Sequence, residues 1–167
     1  MPTRLFSKTL LWVTALFVFT SCNDKAASST DAETKTSTTF DLAAAKKTVE
    51  DGNTALMDFV KKGDSTGFAG MYTADAKVMP AGMPPITGRE GIAGLIGGLI
   101  RMGMVMNLST VDVWGSEALV AEEGTYSFKD KAGKELDNGK YIVLWKMEDG
   151  KWKLFRDCWN SNMSAPH

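Results

Sequence analysis

A chain of 167 residues, 44% hydrophobic and 23% charged, has room for one domain of ordinary globular composition plus accessory segments. Its 19 basic and 20 acidic residues nearly balance and form no basic stripe, so the electrostatic footprint of a nucleic-acid binder is missing. The single histidine, His167, is the last residue, which excludes Ser-His-Asp and Cys-His catalysis and speaks against a metal centre.

The chain opens with Arg4 and Lys8 ahead of the apolar run Leu10-Leu11-Trp12-Val13-Thr14-Ala15-Leu16-Phe17-Val18-Phe19. A basic stretch followed by an apolar one has the layout of a signal peptide, and the run is too short to span ~30 Å of hydrocarbon as a mature helix. It ends in Phe19-Thr20-Ser21-Cys22, which resembles the lipobox of bacterial lipoproteins. Ser21 fits the small residue before the modified cysteine; Phe19 departs from the usual leucine. The resemblance implies a signal peptide over residues 1–21, lipid on Cys22, and anchoring at a bacterial inner or outer membrane. An ordinary signal peptide with an incidental Cys22 is the alternative. With Cys22 lipidated, Cys158 has no intrachain partner. Loss of residues 1–21 leaves 17 basic against 20 acidic residues, a net of −3.

Residues 23–39 carry no large apolar side chain. Such a segment cannot bury enough surface to offset its ordering entropy and reads as a flexible Ser/Thr-rich tether. The domain is expected over residues 40–163, with a short tail at 164–167.

Leu42, Ala45, Val49, Leu56, Phe59 and Val60 recur at helical spacing, with Gly63 as a stop and Gly52 as a place for a kink. A short helix over residues 65–72 follows, then a strand over 76–79 and a proline-rich loop through Pro80, Pro84 and Pro85. Thr87 and Glu90 have capping-box spacing, and Ile92, Leu95, Ile96, Leu99 and Ile100 form the apolar face of a third helix. Four strands come last, at 104–114, 118–128, 140–147 and 152–160. The turns between them fall at Gly115-Ser116, at 129–139 and at Asp149-Gly150, the last a two-residue hairpin signal. The order predicts an α+β domain with helices on one face of a curved antiparallel sheet. Tyr141, Val143, Trp145 and Met147 share one face of their strand, Ile142 and Leu144 the other. With both faces apolar, a second cover is needed, and a homodimer supplies it.

Three segments together resemble the SnoaL-like, nuclear transport factor 2-like superfamily. They are Met71-Tyr72-Thr73-Ala74-Asp75-Ala76-Lys77-Val78-Met79-Pro80 with the preceding Gly63-Asp64, then Pro85-Ile86-Thr87-Gly88-Arg89-Glu90-Gly91-Ile92, then residues 139–146 running through Trp152-Lys153-Leu154-Phe155-Arg156-Asp157-Cys158-Trp159-Asn160-Ser161. Within it they are most similar to bacterial ketosteroid isomerase-like proteins. The resemblance implies a cone-shaped, cystatin-like fold around a pocket, and a homodimer. The isomerase chemistry does not carry over: Pro80 stands where the catalytic aspartate belongs, and Leu56 where the oxyanion tyrosine belongs.

Candidate site residues follow from charge placed in apolar context. Asp157, Glu122 and Tyr126 are candidates for acid–base work; Glu122 and Tyr126 share a strand face, and a solvated rim is the plainer account of them. Arg156, Asp157 and Asn160 interrupt an apolar strand, with Arg156 and Asp157 on opposite faces; an ion pair is the plainer account there. Asn53, Tyr72, Met79, Trp145, Arg156, Trp159 and Asn160 are candidate ligand contacts. Cys158 is expected to be a buried small residue, and the glycines of the third helix to serve close packing or a mobile lid, since no phosphate-loop pattern accompanies them. No cofactor is implied. The sequence thus points to an envelope-anchored domain that binds a small apolar or aromatic molecule; a non-catalytic dimerisation or interaction module is the alternative.

Overall fold

The computed structural model describes residues 40–163; the signal peptide, Cys22, tether and tail expected from the sequence lie outside the described residues. Three helices, α1 (Leu42–Lys62), α2 (Ser65–Gly70) and α3 (Gly88–Arg101), pack on a six-stranded sheet. Its strands are β1 (Tyr72–Met79), β2 (Ile86–Thr87), β3 (Val105–Ser116), β4 (Leu119–Lys129), β5 (Glu135–Glu148) and β6 (Lys151–Ser161), in the order β2-β1-β6-β5-β4-β3.

Local chemistry sets the helix ends. Asp41 Oδ1 accepts the Ala44 N–H at 3.0 Å, and Gly63 closes α1 in the left-handed region at φ 76°. Asp64 caps α2 in the same way through Gly67 N at 2.7 Å. α1 continues unbroken through Gly52, so the kink allowed there does not form. Instead the missing side chain admits Trp145, whose ring would lie 2.7 Å from a Cβ at that position. Thr87 is the N-cap residue of α3, yet its side chain makes no capping bond, so the capping box is present in spacing only.

The sheet differs from the expected antiparallel one in a single pairing. β3 to β6 form an antiparallel meander, but β1 runs parallel to β6, so the sheet is mixed. Asp149 and Gly150 both have positive φ, at 54° and 72°, as the two-residue β5–β6 hairpin requires. Strand bounds shift too. β1 takes in Tyr72, which the sequence placed on a helix, and β5 starts at Glu135, which shortens the β4–β5 connection. Asp130 ties that turn by accepting from Ala132 N and Lys134 N. β2 pairs back onto β1 from a segment read as loop.

The core lies between the helices and the inward sheet face. Leu56, Ile92, Val120, Trp145 and Leu154 are almost wholly buried there, each such side chain worth ~1.5–3 kcal/mol of burial. Two cross-strand pairs fit tyrosine rings against glycines beside this core. Gly124 faces Tyr141 and Gly139 faces Tyr126, so each ring lies over the opposite glycine. A Cβ on Gly124 would fall 2.1 Å from the Tyr141 ring, and one on Gly139 would fall 2.7 Å from that of Tyr126.

Candidate functional site

β1 and β6 lie side by side and bring Tyr72 to Asp157. The Tyr72 hydroxyl donates to Asp157 Oδ2 at 2.7 Å. Asp157 Oδ1 takes no hydrogen bond among the described residues. Both side chains line a cavity of about 60 Å³ whose other walls include Val78, Ile92, Leu95, Leu99, Phe128 and Trp159. Burial pushes the Asp157 carboxyl up to about 6; the Tyr72 hydrogen bond pulls it back and the Glu122 charge adds to the rise. Burial, then the charge and hydrogen bond of Asp157, hold the Tyr72 phenol far above its ordinary range, so it remains a donor. An apolar cavity with one carboxyl poised to gain or lose a proton near neutrality is equipped for general acid–base work.

Glu122 forms a second centre behind the cavity wall. It is wholly buried, with 0% exposure, which rules out the solvated rim considered from sequence. Its Oε1 accepts from Asn53 Nδ2 at 2.5 Å, from Thr110 Oγ1 at 2.8 Å and from the Tyr141 hydroxyl at 2.8 Å. Its Oε2 accepts from Trp145 Nε1 at 3.0 Å. Four donors and no cation surround this one carboxyl group. Thr110 shares the inward face of β3 with Met106 and Leu108, and the irregular register between Thr110 and Asp112 returns Val113 to that face. Asn53 and Tyr141 reach past Glu122 to line the cavity, so Glu122 holds two of its wall residues in place. Burial and the Glu122 charge keep the Tyr141 phenol protonated.

The remaining candidates divide. Trp159 and Tyr126 line the cavity. Tyr126 shares the inward face with Glu122 but donates to Asp137 Oδ2 at 2.9 Å, so the phenol that serves Glu122 is Tyr141. Trp145 is buried beneath the site as a Glu122 donor, outside the cavity lining. Met79 faces away from the cavity, because its neighbour Val78 takes the inward position. Arg156 turns outward. Its Nη1 donates to the carbonyls of Asp75 and Phe155 at 3.1 and 2.8 Å, and its guanidinium stacks 3.6 Å from the Phe155 ring. No carboxylate pairs with it among the described residues, and the ion pair weighed for Arg156 and Asp157 does not form. Asn160 is exposed, and so is Cys158, which corrects its expected burial. Sequence reasoning missed Tyr141 and Thr110 as site residues. For Tyr141 the pointer was its shared strand face with Trp145, opposite the Glu122 face of β4.

Residues 53–155 match the family described as SnoaL-like domain. No curated protein sequence matches the chain. Among solved structures, a nuclear transport factor 2-like protein with a cystatin-like fold from Novosphingobium aromaticivorans is similar at a TM-score of 0.66 and 14% identity, over 74% of this chain and 86% of that one. A ketosteroid isomerase-like protein from Erwinia carotovora atroseptica is similar at 0.59 and 17%, over 71% and 96%. A domain of unknown function with a cystatin-like fold from Nostoc punctiforme is similar at 0.65 and 12%, over 72% and 79%. At these identities the likeness concerns the fold.

Proposed function

Because the chain belongs to the family of SnoaL-like domains, we propose that it binds a small apolar or aromatic molecule against Asp157, with that carboxyl as proton donor and acceptor. One observation carries the reading: Asp157 Oδ1 takes no hydrogen bond among the described residues at a mostly apolar cavity, and burial raises the group to about 6. Tyr72 fixes the carboxyl through Oδ2 and leaves Oδ1 to the ligand. The fold hosts many chemistries, so the site and not the family supports the assignment. Steroid isomerisation is set aside, since Pro80 and Leu56 occupy the positions that the resemblance assigns to its catalytic residues.

The domain acts at the cell envelope, held by lipid on Cys22 through the tether. No helix among the described residues is long and apolar enough to cross a membrane; the reading of lipid as the anchor rests on the Phe19-Thr20-Ser21-Cys22 pattern. A homodimer covers the outward sheet face, where Trp114 and Ile142 are 45% and 42% exposed and Met79 pairs beside Cys158. That same face supports the second reading, an interaction module for an envelope partner.

Native mass spectrometry of the full chain released in mild detergent tests the first reading. A small adduct of constant mass on the wild type, lost in Asp157→Asn, supports it. A bare chain under conditions that preserve the dimer overturns it. Release of Cys22→Ser from the membrane fraction tests the anchor.

A further inference from the structure

The cavity beside Asp157 is small. At about 60 Å³ it falls well short of the ~150 Å³ that holds benzene in an engineered protein core. A second, larger space of about 620 Å³ lies on the surface between the end of α1 and the start of β3. Met106 is the one residue that lines both. It is an unbranched side chain with three rotatable bonds, the kind that moves without rearranging a backbone. Met57, Ile100 and Met104 give the outer groove an apolar floor. Met57 is fixed there, its sulfur accepting the Leu108 N–H at 3.3 Å.

The rim of the groove is basic. Lys61, Lys62 and Lys131 line it against the single carboxylate of Asp58, and none of the three lysines forms an ion pair among the described residues. Lys131 belongs to the β4–β5 turn, and its side chain lies against Gly103 of the turn that joins α3 to β3. A Cβ on Gly103 would come within 3.3 Å of its Cε, so the lysine stem packs against that glycine at the groove edge. An apolar floor with a cationic rim complements an amphiphile that ends in an anion.

Resting on the pocket reading above, we propose that cavity and groove are two parts of one site, gated by Met106, which takes an elongated apolar molecule with an anionic end. The anion sits among Lys61, Lys62 and Lys131, the apolar body lies over Met57 and Met104, and the far tip passes Met106 toward Asp157. The small inner cavity then receives only that tip, and its size no longer conflicts with a ligand larger than benzene.

Dodecanoate and its neutral counterpart dodecanol are the probes, titrated into the full chain carrying carbon-labelled methionine methyl groups. Xenon reports separately on the inner cavity. Dodecanoate is expected to bind more tightly than dodecanol, to weaken with added salt, and to shift the Met106 and Met57 methyl signals together. The double variant Lys61→Glu, Lys62→Glu is expected to weaken dodecanoate roughly tenfold and to leave the xenon signal unchanged. Xenon entry without dodecanoate binding, or dodecanoate binding indifferent to the lysines, overturns the joined site and leaves the pocket reading intact. Shifts at Met57 with none at Met106 make the groove a separate surface site and also overturn it. If neither xenon nor dodecanoate enters, the pocket reading falls too.

Discussion

Tyr72 and Asp157 are joined across two parallel strands by one hydrogen bond of 2.7 Å, and that bond occupies only one of the two carboxyl oxygens. The phenol is held in its protonated form by burial and so keeps the proton that it donates to Oδ2. Orientation is therefore supplied by one partner and chemistry left to the other oxygen, an arrangement in which the carboxyl can change protonation without losing its place.

Asp157 makes stability fall as pH rises. Its folded pKa of about 6 lies above the ordinary carboxylate value of 3.8, so the folded state holds the extra proton between those limits. The contribution is fully present below about 4 and is lost by about 6, on the order of 3 kcal/mol in all. Asp157→Asn keeps an acceptor for Tyr72 and is expected to flatten this part of the profile. Urea unfolding at closely spaced pH values measures it; an unchanged slope in the variant removes the assignment. Glu148 acts in the opposite sense. Hydrogen bonds from Lys153 and Ala74 N, aided by the Lys153 and Arg89 charges, hold it down to about 2, and its support is lost as pH falls below its ordinary value of 4.5.

Removal of the Glu122 carboxylate is expected to be among the most damaging single changes. Glu122→Leu strands Asn53, Thr110, Tyr141 and Trp145 without their shared acceptor, at a cost of about 3–5 kcal/mol. Glu122→Gln keeps the shape and costs less. It also removes a charge that raises Asp157, so the Asp157 midpoint is expected below about 6 in a carbon-detected titration. A midpoint that stays put means the two carboxyls are uncoupled.

The glycines of α3 are not equivalent. Gly94 has open space where a side chain would go, and at Gly98 a Cβ would meet only Arg101 Nη2 at 3.9 Å, an ordinary contact, so alanine at either is expected to stabilise by about 1 kcal/mol through helix propensity. Gly91 has Ile86 Cγ2 2.8 Å from the place of a Cβ, and Gly91→Ala is expected to destabilise. Thermal melts of the three variants separate the two classes. Since Leu95 and Leu99 on this helix wall the cavity, slower xenon exchange in the Gly94→Ala, Gly98→Ala variant would show that motion of α3 gives small atoms a second way into the cavity besides the Met106 gate.

Gly124→Ala is expected to displace Tyr141 from Glu122. The new methyl group would overlap the Tyr141 ring, so the ring must leave the position from which its hydroxyl donates. Loss of about 1–3 kcal/mol by denaturant melt, with a changed Tyr141 environment in its fluorescence or ring resonances, is the expected pair of results. A stable variant with an unmoved tyrosine contradicts the packing described.

Much of the fold was legible because its cues are local. Apolar spacing set α1 and α3, and Asp149-Gly150 set the last hairpin. What escaped was non-local or polar. The first residues of β5, Glu135 to Asn138, alternate little in hydrophobicity, and their strand character comes from pairing with β4. β1 runs beside β6 across nearly the whole domain, a pairing no short window reveals. Asp157 was legible as a charge in an apolar strand. The burial of Glu122 was not, because its four donors come from α1, β3 and β5, and a Glu122-Glu123 pair in isolation reads as surface.

The two glycine–tyrosine contacts come from one short pattern written twice, Gly124-Thr125-Tyr126 and Gly139-Lys140-Tyr141, paired head to tail. Each tyrosine needs a bare position on the other strand, and each glycine is useful only while a ring covers it. In descendants of this sequence the members of each pair should therefore vary together or not at all. A relative that retains both tyrosines but fills either glycine must move a ring that walls the cavity, and the shape of its cavity would diverge before any residue lining it had changed.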